Sequence, residues 1–250
     1  MTSKFIAVAT GLLLLSGTAH SAEIKVLSTQ ATEQAYKELV PQFEKAAGHK
    51  VTTVFTGTLA ADKRLAAGES YDMLIMSSGS IDGHIKDGKV AAGSRVDLAK
   101  SGVAVGVKAG SPKPDISSVE ALKKTILAAK SIGYSTGPSG VYIISLFEKL
   151  GVADAVKSKL KQTPTGVFVG SIIASGEVEI GFQQVSELSH FAGVDYAGPL
   201  PEAVQRYTLF SSGIVAGAKE ADAAKALVKF KFLTAPAAAP AFKKQGMEPG

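Results

Sequence analysis

Apolar positions along the chain follow two alternating rhythms. Glu23 to Leu27 (EIKVL) alternates polar and apolar as a half-buried strand does, then runs into Ser28-Thr29-Gln30-Ala31-Thr32. Ala35, Tyr36, Leu39, Val40 and Phe43 recur at near-helical spacing and stop at Ala46-Ala47-Gly48, with Pro41 expected to kink or weaken the middle. His49 to Phe55 predicts a second strand that ends in Thr56-Gly57-Thr58. Leu59 to Ala67 predicts a short helix closed by Gly68, and Tyr71 to Met76 a third strand that delivers the chain to Ser77-Ser78-Gly79-Ser80.

The same organisation returns further on. Gly102 to Val107 predicts a strand, and Ser117 to Lys130 a helix with Val119, Leu122, Ile126 and Ala129 on one face. A strand-like start at Ser131 meets the loop Ser135-Thr136-Gly137-Pro138-Ser139-Gly140. A helix follows from Val141, carrying Ile143, Leu146, Phe147 and Leu150 and closed by Gly151. Thr163-Pro164-Thr165-Gly166 opens a helix over Val167 to Ala174, and Val178 to Phe182 is a strand into Gln183-Gln184. A last strand falls within Tyr207 to Val215, a helix over Glu220 to Leu233, and a Pro/Ala connector over 235–240.

Strands alternating with helices predict α/β architecture with helices on both faces of parallel sheets. Ligands of such sheets bind beyond the carboxyl ends of the strands. Here those ends enter loops of Ser, Thr, Gly and Gln at 28–32, 56–58, 135–140 and 183–186, with similar turns at 77–80 and 163–166. Together they describe a neutral, donor-rich cleft suited to a desolvated anion. The loop at 135–140 is its centre, because unpaired N–H groups at a helix start bind anions without a charged side chain.

Composition narrows the class. Lys4, the apolar run Phe5 to Leu15 and the small residues Thr18-Ala19-His20-Ser21 read as a cleavable secretory signal over residues 1–21, which implies a periplasmic or extracellular chain. The chain has no cysteine, which excludes disulfides, thiolate metal sites and a cysteine nucleophile. Without Lys4, 26 basic residues face 22 acidic ones, a modest +4 that helps a small anion approach. No basic stripe or aromatic stacking set accompanies that charge, so no nucleic-acid partner is expected. The remaining histidines, His49, His84 and His190, do not pair at ligand spacing, and neither a metal nor another cofactor is expected. Walker A, GxSxG, HExxH and complete GxGxxG motifs are missing, and Ser139 in G-P-S-G lacks the nucleophile-elbow spacing.

The order of these segments resembles the type II periplasmic solute-binding proteins, nearest the molybdate-binding proteins of ABC importers. The resemblance rests on IKVLSTQATEQAYKELVPQFEKAAGHKV, AAGESYDMLIMSS, the stretch around GPSGVYIISLFEKLG, and EIGFQQVSELSH. It implies a two-lobed fold, each lobe a mixed, mostly parallel sheet with helices on both faces. Residues 22–102 plus 208–250 would form lobe 1 and 103–207 lobe 2, with hinge strands near 100–105 and 205–211. It also implies an inner-membrane ABC permease as partner and a monomeric chain.

Carried over residue by residue, the family's first-loop serine falls on Ala31, beside Thr29, Gln30 and Thr32. Its second, serine-rich loop reads Thr56-Gly57-Thr58. Its two helix-start amides fall on Ser139-Gly140 and Gly166-Val167, and its cleft tyrosine falls on Gln184, next to Gln183. Two side-chain ligands of a tetrahedral metal oxyanion are thus replaced, and the glutamines offer longer arms that both donate and accept. The expectation is an organic di- or tricarboxylate. Ser78, Ser135 and Thr136 complete the expected donors, and Arg64 could clamp a carboxylate or be a solvated helix residue.

The leading expectation is an exported protein that captures the anion for an ABC importer; a branch of the resembled family includes periplasmic aconitate isomerases, so proton transfer on the same scaffold is the alternative. Its base would come from Glu33, Lys63, Glu187 or His190. Glu187 and His190, at i and i+3, suit either an acid–base pair at the cleft rim or a capping and surface role.

Overall fold

The computed structural model describes residues 21–229, 233–234 and 236–250. Residues 1–20 of the leader read from the sequence lie outside them, as do residues 230–232 of the expected last helix and residue 235 of the connector. No helix among the described residues is long and apolar enough to cross a membrane.

The chain first lays down β1 (Glu23–Thr29), α1 (Glu33–Ala47), β2 (Lys50–Thr56), α2 (Thr58–Ala66), β3 (Met73–Ser77), α3 (Ser78–Lys86) and β4 (Val96–Ser101). After the single residue Gly102 it enters a second body. This holds β5 (Val103–Lys108), α4 (Val119–Ala128), β6 (Ile132–Tyr134), α5 (Pro138–Lys149), α6 (Ala153–Val156), β7 (Leu160–Gln162), α7 (Val169–Ala174), β8 (Ile180–Gln184), α8 (Val185–Leu188) and β9 (Val194–Pro199). It then returns through β10 (Thr208–Ile214), α9 (Ala221–Lys229), α10 (Ala239–Lys244) and β11 (Glu248–Pro249).

Two sheets result, ordered β11-β4-β10-β3-β1-β2 and β7-β6-β8-β5-β9. Both are mixed, and the parallel share is smaller than the strand–helix rhythm suggests. Among the described residues four neighbouring pairs are parallel and five antiparallel. The reason is connectivity. Strands joined by a helix return parallel, whereas β4, β5, β9 and β10 carry the chain between the sheets and dock antiparallel.

Strand alternation sets the cores. In β1 and β3, Ile24, Val26, Met73 and Ile75 point to one face and meet Ala35, Tyr36, Leu39 and Phe43 of α1. Leu27, Leu74 and Met76 point to the other face, against Ala61 of α2 and Ile81 of α3. The second sheet repeats the scheme, with Val103, Val105, Ile180 and Phe182 facing α4 and α5. Ala104 on its other face meets Val169, Ile172 and Ile173 of α7. Each such fully buried aliphatic or aromatic side chain contributes about 1.5–3 kcal/mol relative to exposure.

Most predicted elements are observed with shifted ends. The helix start expected at Ser117 is at Val119, because the Ser118 hydroxyl accepts the Ala121 N–H at 3.1 Å and acts as the N-cap. Pro41 does not break α1; it lies on the exposed side, and the buried face opposite holds the helix together.

The two passages between sheets are stapled by glutamines. Gln205 accepts the Val103 N–H through Oε1 at 2.8 Å and donates through Nε2 to the Val103 carbonyl at 3.0 Å. Gln184 satisfies both ends of its amide when its nitrogen donates to the carbonyls of Ser101 (2.9 Å) and Gly102 (3.1 Å) and its oxygen accepts from Thr208 Oγ1 (2.9 Å).

Candidate functional site

The carboxyl ends of β1, β2, β6 and β8 converge where the two bodies meet, as the loop pattern predicts for parallel strands. Thr29, Gln30, Ala31, Gly57 and Thr58 come from one side. Ser135, Thr136, Gly137, Pro138, Ser139, Gly166, Val167, Gln183, Gln184 and Glu187 come from the other, and Phe210 lies on the return strand.

The cleft is shut. Gln30 Nε2 donates across it to the Gly166 carbonyl at 3.0 Å. A Cβ on Gly57 would lie 3.1 Å from the Gly166 nitrogen, so backbone meets backbone there. Gly166 itself is left-handed (φ 84°), which suits a residue without Cβ. The remaining cavity is about 30 Å³, on the order of one water's share of liquid volume.

Around it the sequence reads directly into donors. The Ser135 hydroxyl accepts the Gly137 N–H at 3.2 Å and lies 3.4 Å from Ser139 Oγ. Pro138 opens α5 without an N–H, so those of Ser139 and Gly140 begin the helix with no carbonyl a turn behind them. Gly140 is required by packing: a Cβ there would fall 1.8 Å from the Ser135 carbonyl oxygen.

Glu187 is the only ionisable side chain among the described residues that line this cavity. It occupies the third position of α8, whose N-cap is Gln184. Burial pushes its carboxyl up to about 7; the Gln184 N–H and the Gln183 side chain oppose that shift, and the charge of Glu33 adds to it. Gln183 is held in turn, because its Oε1 accepts the Val169 N–H at 2.8 Å. The result is a carboxyl that changes charge near neutrality inside a cleft of neutral donors. Such a group can accept and return a proton.

Other expected residues lie elsewhere. Arg64 donates to both oxygens of Glu69 at 3.2 and 2.9 Å on the exposed side of α2, because α2 turns it away from the cleft. Lys63 lines neither this cavity nor its neighbours. Thr32 is buried, bonded to Ser28 Oγ (3.0 Å) and the Thr29 carbonyl (3.2 Å), where it closes the first turn. Gly140 stands behind the loop.

The Val167 N–H is used by the Pro164 carbonyl at 3.0 Å, so that expected helix-start donor is spent on the turn. The amides of Gln183 and Gln184 hold protein and are not loose arms. Ser78 lines an adjoining, larger cavity at the start of α3. Glu33 and His190 line a third cavity that Glu187 also reaches. There Glu33 pairs with Lys37, and His190 Nε2 is 2.7 Å from the Lys244 carbonyl oxygen.

Sequence reasoning missed Phe210, a core residue of β10 that also lines the cleft. Its only signal was its place within an expected crossing, in a strand that otherwise reads as core.

The chain matches the family model described as bacterial extracellular solute-binding protein over residues 24–248. It is 35% identical over 260 residues to an aconitate isomerase of Pseudomonas sp., covering 100% of this chain and 98% of that one. It is 28% identical over 249 residues to the molybdate-binding protein of Azotobacter vinelandii, with 96% of each chain covered. Among solved structures, the Azotobacter vinelandii periplasmic molybdate-binding protein superposes with a TM-score of 0.75 at 19% identity, over 91% of this chain and 99% of that one. The structure named as the tungstate ABC transporter from Geobacter sulfurreducens gives 0.68 at 19% identity, over 89% and 98%. At those identities the superpositions speak for the two-lobed fold.

Proposed function

The chain belongs to the family of bacterial extracellular solute-binding proteins, and from that membership we propose that it closes its lobes on a small tricarboxylate and moves an allylic proton on it, interconverting cis- and trans-aconitate. The observation that carries this reading is Glu187, a half-buried carboxyl lifted to about 7 by desolvation in a cleft otherwise lined by neutral groups. The identity with an aconitate isomerase over the whole chain supports it.

In this reading the Glu187 carboxylate takes a proton from the methylene carbon beside the double bond. The electron pair spreads over the allylic carbons and the adjoining carboxylate, and the neutral acid returns the proton to the far end of that system. The double bond moves and no atom is lost. The N–H group of Ser139 and the hydroxyls of Ser135 and Thr136 stabilise the spread charge. Gln183 orients Glu187. Bound substrate, itself anionic, raises the affinity of Glu187 for a proton, which strengthens it as a base.

We assign residues 22–102 with 208–250 to lobe 1 and 103–207 to lobe 2, hinged at the stapled crossings; the chain acts as a periplasmic monomer after loss of residues 1–21. Incubating the purified secreted chain with either isomer in deuterated water, and following both isomers by NMR, tests the activity. Interconversion with deuterium entering the allylic positions is expected. No turnover by a folded protein overturns the reading.

A second reading has its own support in the backbone donors at the start of α5, which suit any small oxyanion. Here the cleft captures an anion and hands it to an ABC permease without chemistry. Thermal shift on molybdate, tungstate, sulfate or phosphate, with no isomerisation, would select it.

A further inference from the structure

A tricarboxylate is several times larger than the roughly 30 Å³ left in the closed cleft. The space for its remainder lies next door. A cavity of about 630 Å³ shares Thr58, Thr136, Gly137 and Pro138 with the cleft and opens from it along the start of α5. Its wall carries two cations, Lys149 from the last turn of α5 and Arg206 from the connector ahead of β10, and no acidic side chain. Neither cation forms a salt bridge among the described residues, although carboxylates elsewhere on the surface pair freely with lysine and arginine.

The connector that bears Arg206 is held in place. Tyr142 of α5 donates its hydroxyl proton to the Val204 carbonyl at 2.7 Å, which ties the two cation-bearing segments together. The Arg206 N–H donates to Gln205 Oε1 at 2.9 Å, and Gln205 is itself clasped to Val103 at the first crossing. Arg206 also lies close enough to Tyr142 to act on its hydroxyl electrostatically. Two unpaired cations, on segments fixed to each other, face a cavity joined to an anion cleft.

We propose that this antechamber is a second anion subsite, in which Arg206 and Lys149 hold the carboxylates of a polycarboxylate that the closed cleft cannot take. The inference rests on the reading that the cleft itself takes a carboxylate. Arg206 supplies the planar fork that a carboxylate matches, and Lys149 a mobile point charge. The subsite would select for charge number: one carboxylate fills the cleft, and each further one gains a cation outside it. Both side chains are exposed, so replacing them leaves the core intact.

The test compares the whole secreted chain with its Arg206→Gln/Lys149→Gln double variant by calorimetry at low salt. The probes are propane-1,2,3-tricarboxylate (saturated and therefore inert to isomerisation), pentanedioate and acetate. The expected result is a loss of about tenfold or more for the tricarboxylate in the double variant, a smaller loss for the dicarboxylate, and none for acetate. Wild-type tricarboxylate binding should also weaken with salt more steeply than the variant's. Equal tricarboxylate affinity in the two proteins overturns the subsite and leaves the cleft reading standing. A wild type that binds none of the three probes removes the cleft reading and the subsite together, and that failure is visible before any variant is compared.

Discussion

Replacing Glu187 by Gln should make the protein more stable at alkaline pH while removing its chemistry. The folded carboxyl titrates at about 7 against an ordinary 4.5. Below about pH 4 both folded and unfolded chains carry the neutral acid, and the group costs nothing. As pH rises from about 4.5 to about 7 the unfolded chain ionises first, so folding is progressively penalised, and above pH 7 the penalty is complete. Moving the carboxyl from its ordinary 4.5 to about 7, at about 1.36 kcal/mol per pH unit, gives an upper limit of about 3 kcal/mol.

Gln is close to isosteric, and its amide oxygen can still accept from Gln184 and Gln183, so little else changes. For a chain of this size the gain corresponds to a rise in Tm of roughly 6–12 °C. Thermal unfolding of both proteins at pH 4 and pH 8 reads it: a clear gain at pH 8 and almost none at pH 4. No gain at pH 8, or the same gain at both, refutes the argument that buried charge sets this carboxyl's behaviour. Isomerisation by the same variant should fall by about 10²–10⁴-fold. Wild-type kcat/KM should rise with pH through about 7 as Glu187 of the free protein becomes the carboxylate.

Gly57→Ala should weaken tricarboxylate binding severalfold with little loss of stability, because its Cβ would press 3.1 Å from the Gly166 nitrogen only when the lobes are shut; calorimetry beside a melting curve separates the two. Gly140→Ala should cost about 3 kcal/mol by chemical denaturation and abolish binding, since the new Cβ would collide with the Ser135 carbonyl and displace the donor loop. Arg64→Ala should leave carboxylate affinity unchanged by calorimetry, because its guanidinium is bonded to Glu69 on the exposed side of α2.

Legibility followed burial. β1, β3, β5 and β8 are central strands, so their side chains are almost wholly apolar or cleanly alternating and read directly. β4 (VDLAKS) and β9 (VDYAGP) were not read as strands. β4 is covered on its outer side only by the two residues of β11, and β9 lies at the edge of its own sheet, where charged residues, Gly and Pro are tolerated and dilute the pattern. The donor loops were equally plain, because Ser, Thr and Gly clusters after apolar runs follow from how parallel strands end.

What the sequence determined by itself was therefore local and periodic: the α/β rhythm, the turn residues at strand ends, the neutrality of the loops and the missing cysteines. These depend on each residue's own shape and chemistry and on neighbours a few positions away. Which loop residues face the cavity was decided only by the tertiary structure. Thr32 and Ala31 are adjacent, yet one is bonded inward and the other lines the cleft. Glu187 and Lys63 were equal candidates until packing set the first in the cleft wall and left the second outside. Desolvation lifts the Glu187 carboxyl to about 7, with the charge of Glu33 adding to it against the opposing bonds from Gln184 and Gln183, and Glu33 lies far from Glu187 in the chain. The desolvation that gives Glu187 its proton affinity belongs to that closed cleft, and no stretch of sequence contains it.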